Sequence, residues 1–190
     1  MDLQHVNIKI PVEGDLKVPA ERFIGIFHNW IKDDTLDELL IDVADYRHVP
    51  AGPGVMLIGH EADFSMDHAG NRWGLRYNRK APLPGSNEDR FHQALKAAAH
   101  ACCLLESELA KDGPLTFSRK EFELFINDRA LAPNTPETYA ACKPQLEAFV
   151  QSVLGHGEFN LTHVGGSRTL FRVTVTASKP FDLTAMVESR

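Results

Sequence analysis

Apolar and polar residues alternate over 4–10, where His5-Val6-Asn7-Ile8-Lys9-Ile10 has the period of a half-buried strand. Gly14-Asp15 turns the chain, and from Pro19 the period becomes helical. Phe23, Ile26, Phe27, Trp30 and Ile31 recur on one face, which predicts a helix over about 19–32. Pro19 suits its first turn, because its φ is already helical and its missing N–H is not needed there. Residues 36–49 read two ways. Thr35-Leu36-Asp37-Glu38 has the form of a capping box, with Leu36, Leu39, Leu40 and Val43 on a helix face. Leu40 to Val49 is also rich in strand formers and runs into Pro50-Ala51-Gly52-Pro53-Gly54, the composition of a turn between strands. A strand from about 39 is the reading carried forward.

Val55 to Asp67 reads as one long strand, His68-Ala69-Gly70-Asn71 as a turn, and Arg72 to Lys80 as the returning strand. Pairing Asp67 with Arg72 sets Met66 opposite Trp73, Phe64 opposite Leu75, Asp63 opposite Arg76 and Ala62 opposite Tyr77. Apolar then meets apolar and acid meets base, at about 0.2–1 kcal/mol per cross-strand pair. Pro82, Pro84 and Gly85 break the chain, and Ser86 can cap a helix whose stripe is Phe91, Leu95, Ala98, Ala99, Cys102, Leu105 and Leu109. Gly113 and Pro114 end it. A strand over 122–127 precedes a third helix, opened by Thr135-Pro136, with Tyr139, Cys142, Leu146, Phe149, Val150 and Val153 on its buried face. Gly155 and Gly157 stop that helix. Strands at about 158–164 and 169–177 meet at Gly165-Gly166, a hairpin signal.

The pattern predicts an α+β fold: antiparallel strands with three long amphipathic helices packed on one face, in the order β-α-β-β-β-α-β-α-β-β. The 190 residues suit one domain. Its ends share a strand, a Pro-opened helix and a hairpin with His-Val before a Gly-rich turn. That likeness suggests an internal duplication of a β-α-β-β unit, with halves 1–85 and 115–190 joined by a helix over 87–111.

Apolar residues make up 43% and charged residues 24% of the chain, the composition of a globular protein. The net charge of -6, with scattered Lys and Arg, argues against nucleic-acid binding. The first residues do not have the form of a signal peptide, and no apolar run approaches a membrane span. Three cysteines, two of them adjacent, do not make a disulfide framework, so a reducing, cytoplasmic setting is expected.

Alternation sorts the strand residues by face. One face is expected to carry Leu40, Asp42, Ala44, Tyr46, His48, Met56, Ile58, His60, Ala62, Phe64, Met66, Trp73, Leu75, Tyr77 and Arg79, and to lie under the helices. Among these apolar neighbours the polar Asp42, Tyr46, His48, His60 and Arg79 are the candidate ligand-binding residues. His60 is suited to proton transfer with Asp42 beside it, and Arg79 to a small anionic ligand; the same set also reads as a satisfied internal polar cluster. Glu61 and Asp63 read as salt-bridge partners of Arg72 and Arg76. No spacing of His and Cys indicates a metal site, since His92 and His100 are eight apart without the acidic companion of a metalloprotease helix. Cys102 and Cys103 read as structural thiols, and neither Gly52-Pro53-Gly54 nor Gly165-Gly166 has the helix and Lys of a phosphate loop. No cofactor is implied and nothing demands catalysis. Two functions are carried forward. The first is a non-enzymatic module that self-associates through Ile41, Val43, Val49, Val55 and Leu57 on the second face. The other is a small-molecule binder or enzyme with its pocket between sheet and helices.

Overall fold

The computed structural model describes the whole chain apart from Asp112, Pro114, His156, Ser167, Ser189 and Arg190; the helix stop expected at Pro114 therefore lies outside the described residues. The strands are β1 (Val6–Pro11), β2 (Leu40–Tyr46), β3 (Gly54–Gly59), β4 (Ala62–Asp67), β5 (Gly74–Arg79), β6 (Glu121–Ile126), β7 (Phe159–His163) and β8 (Phe171–Ala177). The helices are α1 (Arg22–Asp33), α2 (Asn87–Leu109), α3 (Pro136–Leu154) and the short α4 (Leu183–Glu188). The eight strands form one antiparallel sheet in the order β2-β3-β4-β5-β1-β6-β8-β7.

Each long helix forms for the reasons its sequence gives. In α1, Phe23, Ile26, Phe27 and Trp30 turn to the core, and Asp34 closes the helix in a left-handed conformation with its N–H on the Trp30 carbonyl. Ser86 and Asp89 make a reciprocal capping box at the start of α2. Thr135 caps α3, with Pro136 in its first turn. The three long helices lie on one face of the sheet: α1 over β2 and β3, α2 over β1 and β5, and α3 against β7, while α4 packs on α2. We call the helix-covered side the inner face and the other the open face. Ile8, Ile10, Leu57, Phe64, Met66, Leu75, Tyr77, Phe122, Leu124, Val173 and Val175 fill the inner face and join one core with the helices.

The element order follows the sequence pattern, with one fold inside an expected element. The long strand over 55–67 is bent back on itself at His60 and Glu61, so that Ile58 pairs with Asp63 and Val55 with Met66. A Cβ on Gly59 would lie 2.4 Å from the Ala62 carbonyl oxygen, so the close approach needs glycine. The Glu61 carbonyl accepts the N–H groups of Lys80 and Ala81, and the Lys80 ammonium donates to the Gly59 carbonyl.

This tight turn inverts the facing of β3 and of β2 from Asp42 onward. Residue numbers of paired positions in β3 and β4 sum to an odd value, so even positions of β2 and β3 share a face with odd positions of β4. Val43, Val55 and Leu57 therefore lie on the inner face, and Asp42, Ala44, Tyr46, Met56 and Ile58 on the open one. The expected facing holds from Ala62 to Arg79 and is reversed for 42–58, while the bulge between Leu40 and Asp42 returns Leu40 to the core as expected.

The registers also differ. Asp67 pairs with Gly74, two positions from the expected Arg72, because the Lys9 ammonium gathers the Asp67 carboxylate and the Ala69 and Arg72 carbonyls and lengthens the loop. Val55 pairs with Asp45, not with Val49. Both shifts are even, so neither changes a face. The internal duplication is not confirmed: a four-strand meander returns to β1, but a two-strand one returns to β6.

Candidate functional site

The inverted facing separates the five residues singled out from the sequence. Asp42 is exposed on the open face, its Oδ1 accepting the Val43 N–H at 2.8 Å. Tyr46 and His48 are exposed, with ring centroids 6.3 Å apart. His60 is exposed in the turn between β3 and β4, where its backbone N–H donates to the Leu39 carbonyl. Arg79 alone is on the inner face. Its side chain is 10% exposed, with Nη2 2.8 Å from Glu61 Oε2 and Nε donating to the Ala81 carbonyl. Asp42 does not orient His60, and no cluster of the five forms.

A cavity of about 230 Å³ does lie between sheet and helices, and Arg79 lines it. Its floor is Phe64 and Tyr77, whose rings meet edge to face at 5.2 Å. Gln93, Lys96 and His100 come from α2, and Asp37 and Glu38 from the segment between α1 and β2. Tyr77 and Gln93 exchange hydrogen bonds through the phenol oxygen and the amide at 2.9–3.2 Å. Burial pushes the Tyr77 phenol up from its ordinary value, and its hydrogen bonds to Gln93 and Arg79 only partly oppose that. Glu38 Oε1 accepts the Glu61 N–H, so the capping-box acid of the helical alternative serves to close a hairpin. His100 is half-buried and has no hydrogen-bond partner among the described residues. The cavity thus offers an aromatic floor, a guanidinium, an ammonium and an imidazole on one side, and two carboxylates opposite.

Gln93, Lys96 and His100 sit at i, i+3 and i+7, one polar line beside the apolar stripe of α2. That spacing is visible in the sequence. It does not by itself mark a site, because a solvated helix flank has the same pattern.

Several other polar groups are held by structural contacts. Ser152 Oγ lies 2.9 Å from His92 Nε2 beside the cavity of about 510 Å³ lined by α2, α3 and α4. Its proton goes to the Phe149 carbonyl at 2.7 Å, so His92 donates to Ser152 and does not activate it. His163 is held by Asn134 Oδ1 at 2.7 Å and stacked on Tyr139. Glu61 pairs with Arg79 and Asp63 with Lys80, in place of the Arg72 and Arg76 expected from the sequence. Burial raises the thiols of Cys102, Cys103 and Cys142, which disfavours the nucleophilic thiolate. No group of three potential metal ligands occurs among the described residues, and no helix there is long and apolar enough to cross a membrane.

Comparison of the chain with family models, with curated proteins and with solved structures finds no match in any of the three.

Proposed function

We propose that the protein binds a small, flat anion, of the aromatic carboxylate type, in the cavity between β5 and α2. The observation that carries this reading is the unpartnered His100 imidazole on a cavity that Arg79 and Lys96 also line, above the rings of Phe64 and Tyr77. His100 is not among the buried polar atoms left without a partner, so a ligand acceptor there would replace water and need displace no protein group. The aromatic floor suits a planar body, and the cations suit a carboxylate. Asp37 and Glu38 on the opposite wall would disfavour a second negative charge. The three free thiols fit a reducing, cytoplasmic setting for such a binder.

Benzoate is the probe. It should raise the melting temperature of the protein, because a ligand that binds only the native state stabilises it by mass action. His100→Ala should abolish the rise while leaving the melting temperature without benzoate within about 2–4 °C of the wild type. A rise of equal size in His100→Ala would defeat the proposal, as would no rise in the wild type with benzoate.

A second reading rests on a separate observation. Leu39, Ile41, Tyr46 and Val49, between 39% and 68% exposed, cluster at the edge strand β2. The proposed occupant of this edge is a second copy of the chain, paired β2 to β2 about Val43. That register sets Ile41 opposite Asp45 and places no like charges opposite one another. The surface differs from the one expected from the sequence, since Val55 and Leu57 are buried under α1 and only Ile41 and Val49 remain exposed. Light scattering should give a dimer for the wild type and a monomer for Ile41→Lys. A monomeric wild type at high concentration excludes this reading.

A further inference from the structure

A cluster of charged side chains lies on the open face, away from the cavity over Tyr77. There β4, β5, β1, β6 and β8 bring Asp67, Arg76, Lys9, Glu123 and Arg172 side by side. Lys9 is only 3% exposed, and its three protons are used by Asp67 Oδ1 at 2.6 Å, the Arg72 carbonyl at 2.7 Å and the Ala69 carbonyl at 3.0 Å. The neighbouring Arg72 is matched by Glu121, and Lys80 by Asp63. What remains is two guanidinium groups with loose acidic partners. Arg76 Nη1 is 3.8 Å from Asp67 Oδ2, and Arg172 Nη1 is 3.6 Å from Glu123 Oε1, both beyond hydrogen-bonding distance.

The two arginines share the ring of Phe125, lying 4.7 Å and 5.7 Å from its centroid. Arg76 Nε is sealed from water and has no hydrogen-bond partner, although one Nη group reaches Asn7 Oδ1 once that amide is turned to satisfy its neighbours. Lys9, Arg76 and Arg172 are three cations facing two carboxylates, Asp67 and Glu123, which leaves one positive charge uncompensated. A cation without a close acidic partner at a half-buried position favours a bound anion. Burial lowers the Arg76 guanidinium from its ordinary value, with Asp67 and Glu123 opposing that effect and the nearby Arg172 adding to it. Beside this cluster is a cavity of about 180 Å³, lined by Lys9, Arg72, Arg172 and Glu123 among others.

We propose that this open-face cavity is an oxyanion site for a phosphate or carboxylate group, contacted by Arg172, with Arg76 supplying the unmatched charge behind it. A forked guanidinium suits either oxyanion, and the half-exposed Arg172 is accessible to solvent. The site uses no residue of the cavity over Tyr77, so it stands whether or not benzoate binds there.

The test is calorimetric titration with inorganic phosphate and with acetate, each against sodium chloride of equal ionic strength to remove general screening. The wild type should bind phosphate, acetate, or both, with phosphate the tighter if the site takes a doubly charged group. Arg172→Gln should weaken that binding at least about tenfold, equal to about 1.4 kcal/mol. Arg172→Lys should weaken it less. His100→Ala should leave it unchanged. Circular dichroism of Arg172→Gln establishes that the fold is kept, and if it is lost, Arg172→Lys alone decides. Neither anion binding the wild type above the chloride control overturns the proposal. So does phosphate affinity that is the same in the wild type and both Arg172 variants.

Discussion

Lys9 has one of the least favourable positions for a charge in this protein. It sits on β1, a strand between two others, with its side chain 4% exposed and Asp67 opposite at 3%. A buried pair contributes little net stability compared with an apolar pair, but removing one partner strands the other. Lys9→Met should therefore lose about 3–5 kcal/mol, towards the smaller figure because Arg76 lies 3.8 Å from the abandoned carboxylate. Lys9→Met/Asp67→Leu should recover part of that loss, since no carboxylate is left stranded, but only part, because Arg76 loses its acidic neighbour at 3.8 Å. Urea unfolding measures both, and a Lys9→Met midpoint equal to the wild type would show that the pair is solvated in solution. The sequence presents Lys9 as the polar half of an alternating strand, which implies water on that side. Water is absent because the loop after β4 wraps the ammonium with the Ala69 and Arg72 carbonyls.

At the scale of elements, the helices were legible and the strand facing was not. A helix announces itself by a stripe recurring over several turns, and α2 and α3 add a capping or Pro signal at the start, whereas α1 begins at Arg22 without a side-chain cap, three residues beyond the Pro19 expected to open it. A strand carries only a period of two, which one unnoticed turn reverses. Gly59-His60-Glu61-Ala62 has no Asn-Gly or Gly-Gly pair, and the apolar run before it continues into the alternation of Ala62, Phe64 and Met66 after it, so the two strands join into one plausible long one. The candidate site inherits that error. Tyr77 and Arg79 lie after the turn and take the expected face, Asp42 and Tyr46 lie before it and take the opposite one, and His48 falls beyond the end of β2. His60 is in the turn itself. The α2 contribution to the cavity was missed for a different reason, because nothing in a sequence distinguishes a polar helix flank over a cavity from one in open solvent.

The whole molecule keeps several weak acids in their neutral form, and this sets how it responds to alkali. Burial raises the Cys102 thiol well above 9.0, Tyr77 above 10.0, and the Cys103 and Cys142 thiols as well. The folded chain holds these protons to a higher pH than the unfolded chain does. Unfolding then releases protons, so stability falls as pH rises. Their contribution is fully present below about pH 9, where both states are protonated, and is lost as the pH climbs through the raised values. Melting temperatures should be level between about pH 7 and 8 and decline steadily from about pH 9 to 11. Tyr77→Phe removes one of the protons released and should make the decline shallower above about pH 10. Because Tyr77 is also the floor of the cavity over β5, a decline of unchanged slope in Tyr77→Phe would mean that its phenol is open to water, and that the cavity lacks the dry base on which an aromatic anion is proposed to rest.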